Sequence, residues 1–221
     1  MQGCATIRGF AGRPMTEDLP SRRAKCPACL RAQSACICAW VRPVELPAAL
    51  LILQHPLEVG NAKNSARLLH LCVPGSVLAV GEGFDPFELD ALLHAGGRTP
   101  VLLYPDTPGV ASLALDSAIP PAQLLIVVLD ATWRKSRKML HLNPLLAALP
   151  RLALSNMPAS GYRIRKAHAP DQLSSLEAGA YALGQVTGDM APVAPLFEAF
   201  DGFVQQQAAF VPPDAGRTRD A

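Results

Sequence analysis

Four of the six cysteines crowd into one short stretch, spaced Cys26-x2-Cys29-x6-Cys36-x-Cys38. Four thiolates this close can surround a single tetrahedral Zn2+, and Pro27 helps form a tight knuckle. With cysteine at every position the metal is structural. It supplies stability that so small a segment cannot draw from apolar burial. A second group is Asp130-Ala131-Thr132-Trp133, followed by Arg134, Lys135, Arg137 and Lys138. A carboxylate closing an apolar run can accept a proton. Beside it a hydroxyl can orient a polar ligand, an indole can stack on a flat ring, and cations can hold phosphates. Each has a plainer reading. Asp130 could cap the following helix, Trp133 could anchor a core, and the cations could form a solvated face. Two cysteines remain, Cys4 and Cys72, and Cys72 reads as a buried small hydrophobe.

The elements that must carry these groups alternate. Short apolar runs at 49–54, 76–80, 101–104, 124–129 and 151–155 predict strands. Runs apolar on both faces suit a central, mostly parallel sheet covered by helices. Helical spacing marks 64–71 and 86–94, the latter stopped by Gly96-Gly97. Residues 132–149 read as a long helix that Pro144 kinks or splits. Ser174 and Glu177 make a capping box for a helix over 174–185, and a last helix spans about 195–209. This order predicts a three-layer α/β domain over 47–211. Before it lie a loose leader (1–21) and the cysteine module (22–46), and after it a polar tail (212–221). In such sheets ligands sit at the carboxyl ends of the strands, which draws attention to Gln54-His55, Asp130 and Ser155-Asn156.

Half of the 221 residues are hydrophobic and 17% are charged, which excludes a disordered chain. A net charge of +2 means that any polyanion contact is local. The cations do cluster: Arg22, Arg23, Lys25 and Arg31; Arg134 to Lys138; and Arg163, Arg165 and Lys166. No segment reaches the roughly 18–20 apolar residues of a bilayer span. The first residues lack the apolar core of a secretory signal, so a cytoplasmic protein is expected.

The D-x-T-W run over 130–133 resembles the signature of the DTW-domain family. His55-Pro56-Leu57-Glu58 with Asn64-Ser65, Tyr162-Arg163-Ile164-Arg165-Lys166, and Leu173-Ser174-Ser175-Leu176-Glu177-Ala178 resemble further elements of that family in the same order. Ser65 and Ser175 each stand where threonine is expected, and the hydroxyl is kept. The cysteine module also matches a family element. Members are tRNA-uridine aminocarboxypropyltransferases related to the SPOUT class of S-adenosylmethionine-dependent RNA enzymes. The resemblance therefore implies a SPOUT-like fold with a knot, S-adenosylmethionine as donor, structural Zn2+ and tRNA as partner.

It implies a donor site drawn from His55, Asn64, Ser65, Leu129 and Ser155. Tyr162, Arg163, Ser174, Ser175 and Glu177 complete that expected set. Asp130, Thr132 and Trp133 are expected at the reaction, with Asp130 taking the uridine N3 proton. Arg134, Lys135, Arg137, Lys138, Arg165 and Lys166 are expected on RNA. Two rival readings follow from the same residues: a SPOUT-type RNA methyltransferase, and a zinc-dependent RNA-binding protein without catalysis.

Overall fold

A computed structural model describes residues 24–114, 119–158, 160 and 173–210. The leader, the tail and the Tyr162–Lys166 segment lie outside them. Among the described residues five strands form one sheet: β1 (Ala49–Gln54), β2 (Val77–Val80), β3 (Thr99–Leu103), β4 (Leu124–Asp130) and β5 (Arg151–Leu152). The strand order is β2-β1-β4-β3-β5 and every pairing is parallel. β1 connects onward to one edge of the sheet, whereas β4 connects toward the other. The carboxyl ends of β1 and β4 are therefore the point where the connections diverge, the place where ligands bind in open α/β sheets. The register sets Gln54 beside Asp130 at that point.

Among the described residues six α-helices cover the two faces: α1 (Ala66–Cys72), α2 (Pro86–Leu93), α3 (Trp133–Leu142), α4 (Pro144–Ala148), α5 (Ser175–Thr187) and α6 (Ala194–Ala208). Leu50, Ile52, Ile126 and Val128 pack with residues of α1, α5 and α6. The alternate residues Leu51, Leu53, Leu125 and Val127 pack with α2, α3 and α4. This is the three-layer arrangement that two-faced apolar strands predict. No helix among the described residues is long and apolar enough to cross a membrane.

Most boundaries fall within two residues of expectation. β5 does not: of 151–155 only Arg151 and Leu152 pair. β3, its ladder partner, ends at Leu103, and Pro105 follows. The expected helix over 132–149 is split at Asn143-Pro144, as proline requires. Asn143 stabilises the break: it accepts from the Phe84 N–H (2.9 Å) and donates to the carbonyls of Glu82 (2.9 Å) and Met139 (2.7 Å). Cys72 is fully buried, as a small hydrophobe should be.

The cysteine module is not held by its sulfurs alone. Ile37 is fully buried in the core that α5 and α6 share. The Trp40 indole N–H donates to Gln206 of α6 (2.6 Å), and Gln206 donates to the Cys36 carbonyl (3.0 Å). The Trp40 ring lies so close to Gly202 that a Cβ there would overlap it. Overpacking at such a site costs about 1–3 kcal/mol. That exceeds the roughly 1 kcal/mol a helix gains from glycine to alanine. Gly202→Ala should therefore lower stability in urea unfolding, and an unchanged or raised midpoint would contradict this packing.

Candidate functional site

Asp130 ends the central strand and is 3% exposed. Its Oδ2 accepts from Gln54 Nε2 (2.8 Å) and Asn64 Nδ2 (2.6 Å), and its Oδ1 accepts from the Ser175 hydroxyl (2.5 Å). The donors come from three places: the end of β1, the turn before α1 and the first turn of α5. A carboxylate offers about four lone-pair sites. Oδ2 is thus saturated, and Oδ1 keeps one site. The expectation that Asp130 might cap the next helix is corrected. Thr132 is the N-cap of α3 and accepts from the Lys135 N–H (3.4 Å), because Asp130 is still inside the strand.

The turn holding Asn64 is itself well tied. Asn64 Oδ1 accepts from the Ala66 N–H (3.0 Å) and from Gln54 Nε2 (3.3 Å). Ser65 is buried, and its hydroxyl accepts from the Leu176 N–H (3.2 Å), joining the starts of α1 and α5. Ser174 and Glu177 form the predicted capping box. Glu177 also accepts from Ser160 (2.9 and 2.8 Å), so much of its hydrogen-bonding capacity is engaged within the chain.

His55 is a satisfied histidine. Its Nδ1 accepts from the Leu57 N–H (3.1 Å), which assigns the ring proton to Nε2, and Nε2 faces Glu82 (3.0 Å). The other oxygen of Glu82 meets Lys138 (2.7 Å). Lys138 first, then His55, holds the Glu82 carboxyl below the usual carboxylate range. The pairing stabilises the fold above the ordinary carboxylate pKa and is lost as pH falls through the lowered one. Lys135 is likewise paired, with Glu58 (2.9 Å). Arg134 and Arg137 are exposed on the same helix.

Trp133 is 49% exposed, so it is not the core anchor that its size allowed. Its ring meets Tyr104 edge-on, with centroids 5.6 Å apart. Two expected donor-site residues are not brought against Asp130. Leu129 packs on the sheet face opposite Asp130. Ser155 is exposed, and its backbone bonds Gln185, ten residues beyond Ser175 and so roughly 15 Å along α5. Tyr162, Arg163, Arg165 and Lys166 lie outside the described residues. Glu82 and Tyr104 are members of the site region that sequence reasoning did not single out, and Gln54, noted only as a strand end, joins them as a donor to Asp130. The signal for Gln54 is a polar residue closing an otherwise apolar strand.

The four cysteine sulfurs lie within 4.8 Å of one another, with Cys26–Cys38 at 3.6 Å and Cys29–Cys36 at 3.8 Å. A tetrahedron with Zn–S bonds of about 2.3 Å has edges of about 3.8 Å, so the donor set fits such an ion. Backbone N–H groups of Cys29 and Ala28 pull the Cys26 thiol down to about 6, whereas burial and its neighbouring sulfurs push Cys38 up to about 12.

The parallel sheet and the buried carboxylate at its switch point define a three-layer α/β protein with a candidate ligand site at the carboxyl edge. The DTW domain profile matches residues 23–208, and the chain belongs to the DTW domain family. It is 30% identical over 196 residues to tRNA-uridine aminocarboxypropyltransferase 2 of Mus musculus, covering 81% of this chain and 64% of the mouse protein. The protein of the same name from Macaca fascicularis is 30% identical over 172 residues, covering 73% of this chain and 56% of its own length. That from Drosophila melanogaster is 32% identical over 175 residues, covering 76% and 69%. The chain thus spans less than two thirds of the two mammalian relatives. No solved structure matches it.

Proposed function

We propose that the chain is a cytoplasmic tRNA-uridine aminocarboxypropyltransferase of SPOUT-like type. It transfers the 3-amino-3-carboxypropyl group of S-adenosylmethionine to N3 of a uridine. The observation that carries this reading is the Asp130 carboxylate, buried at the carboxyl edge of the central strand and held by donors from three elements. The names of the relatives supply the reaction class. The new bond joins N3 to the γ-carbon, and the S–Cγ bond breaks. The sulfonium leaves as neutral methylthioadenosine, and the N3 proton must be accepted. Oδ1 of Asp130 keeps a lone pair for that proton, and the more exposed Ser175 hydroxyl adjoins it.

Trp133 and Tyr104 offer aromatic surface on which an unstacked base can rest. Thr132 and the set expected at the donor (His55, Asn64, Ser65, Leu129, Ser155, Tyr162, Arg163, Ser174, Ser175, Glu177) belong to the same proposal. Within it, His55, Ser65, Ser174 and Glu177 act chiefly by holding the site's turns, since their polar atoms are engaged with the chain itself. Zinc in the Cys4 knuckle stabilises the fold. Mass spectrometry of tRNA nucleosides from cells lacking this chain tests the reading. One aminocarboxypropyl-uridine should disappear and return on complementation, and an unchanged nucleoside profile would overturn it.

The paired lysines refine the RNA contact. Each cation that contacts a phosphate contributes about 0.7–0.9 to the slope of log affinity against log salt. Arg134→Gln and Arg137→Gln should each remove close to that amount. Lys135→Gln should remove less, because Glu58 already occupies that ammonium. Equal losses at all three would contradict this division. Arg165 and Lys166 are assigned to RNA on the resemblance.

A further inference from the structure

Arg31 follows Arg22, Arg23 and Lys25 in sequence, yet its guanidinium turns inward. Nη1 donates to the Ala62 carbonyl and Nη2 to the Asn64 carbonyl, each at 2.6 Å. The group lies 5.0 Å above the ring of buried Phe203 on α6. A second arginine crosses the same seam the other way: Arg67 of α1 donates to the Ala28 carbonyl inside the knuckle (2.7 Å).

The knuckle sets the position of Arg31. Between Cys26 and Arg31 the chain closes on itself, with the Leu30 N–H on the Cys26 carbonyl (2.9 Å) and the Cys26 N–H on the Arg31 carbonyl (2.8 Å). Leu30 adopts φ 61° to make that turn, a left-handed conformation that non-glycine residues rarely take. Beyond the seam, Asn64 carries Arg31 on its backbone and Asp130 on its side chain. The path from the cysteines to the carboxylate is therefore continuous: knuckle turn, guanidinium, Asn64 carbonyl, Asn64 amide, Asp130.

We infer that Arg31 is a positioning residue that transmits the geometry of the cysteine knuckle to the Asp130 carboxylate through Asn64. The inference rests on Asp130 being the centre of the proposed reaction. A shift of about 1 Å in a reacting geometry costs roughly 10²-fold in rate. Arg31→Met should accordingly lower kcat about 10- to 100-fold, while KM for tRNA and for the donor stays within about twofold. Arg31→Lys, a point charge able to reach one carbonyl at a time, should recover part of the loss.

Three readouts on the metal-loaded full chain decide the matter. In a double-mutant cycle, Arg31→Met should add nothing to Asn64→Ala, whereas additive losses would overturn the path. If Arg31 instead grips a tRNA phosphate, its loss would appear as a raised KM and a salt slope smaller by about 0.7–0.9, which also overturns the inference. Hydrogen exchange provides the arm that needs no activity. With zinc content unchanged, the Asn64 and Ala66 amides should exchange faster in Arg31→Met, and Arg31→Lys serves if the methionine variant loses metal. Unchanged exchange across 61–66 would overturn the brace. Should the wild-type chain fail to modify tRNA, the functional reading falls while this arm still judges Arg31.

Discussion

Asp130→Asn is expected to keep the fold and to slow single-turnover transfer by about 10² to 10⁴, the range for removing a general base. The fold should survive because the amide can turn. Its oxygen can take the two donors now on Oδ2, Gln54 and Asn64, and its nitrogen can face Ser175. The Ser175 hydroxyl can rotate from donor to acceptor, so no buried group loses its partner. Asp130→Ala would take the shared acceptor from all three donors, leaving Gln54 only its longer bond to Asn64 (3.3 Å), and a buried group left unpaired costs about 1–3 kcal/mol. That variant confuses stability with chemistry, and asparagine does not. Calorimetric donor titration should give near-normal affinity for Asp130→Asn. A near-normal rate would remove Asp130 from proton transfer and leave it as the hub that holds three elements together. A loss confined to donor binding would move it to the donor site.

Removing zinc should unfold the N-terminal module. Structural zinc contributes about 10–16 kcal/mol of apparent binding energy in small Cys-rich modules near neutral pH. Ile37 and the Trp40–Gln206 contact would retain some docking on α6. They cannot replace four ligands. Elemental analysis of protein purified without chelator should show about one zinc per chain. Cys29→Ser should lower both zinc content and thermal stability. Binding should weaken as pH falls, since the ligands must give up protons: Cys38, up at about 12, holds its proton at neutral pH without the metal, whereas Cys26, down at about 6, has largely lost it. Four freely titratable thiols and no metal would refute the site.

The sheet was legible because its strands are apolar on both faces and flanked by turn residues. β5 escaped that logic. Arg151–Ser155 resembles the other runs in composition, but how far a strand continues depends on its neighbour, and β3 turns away. The centre of the site was legible in part. Asp130, Asn64 and Ser175 stand in recognisable motifs. Gln54 becomes their partner only through the β1–β4 pairing, which no local pattern encodes. The same holds for charge. Lys135 and Lys138 read as open cations, yet Glu58 and Glu82 reach them across 77 and 56 residues of sequence. Sequence spacing locates groups along an element, whereas tertiary contacts decide which of them remain open to a ligand.

The central claim is the identity of the group transferred. S-adenosylmethionine labelled either on its methyl carbon or on its amino-acid carbons, incubated with the purified chain and unmodified tRNA, separates the outcomes in one measurement. The proposed reaction predicts that only the amino-acid label enters RNA, with the methyl label recovered in methylthioadenosine. Methyl label in the tRNA would make the chain a methyltransferase, and neither label in the tRNA, with donor intact, would leave it an RNA-binding protein without this activity.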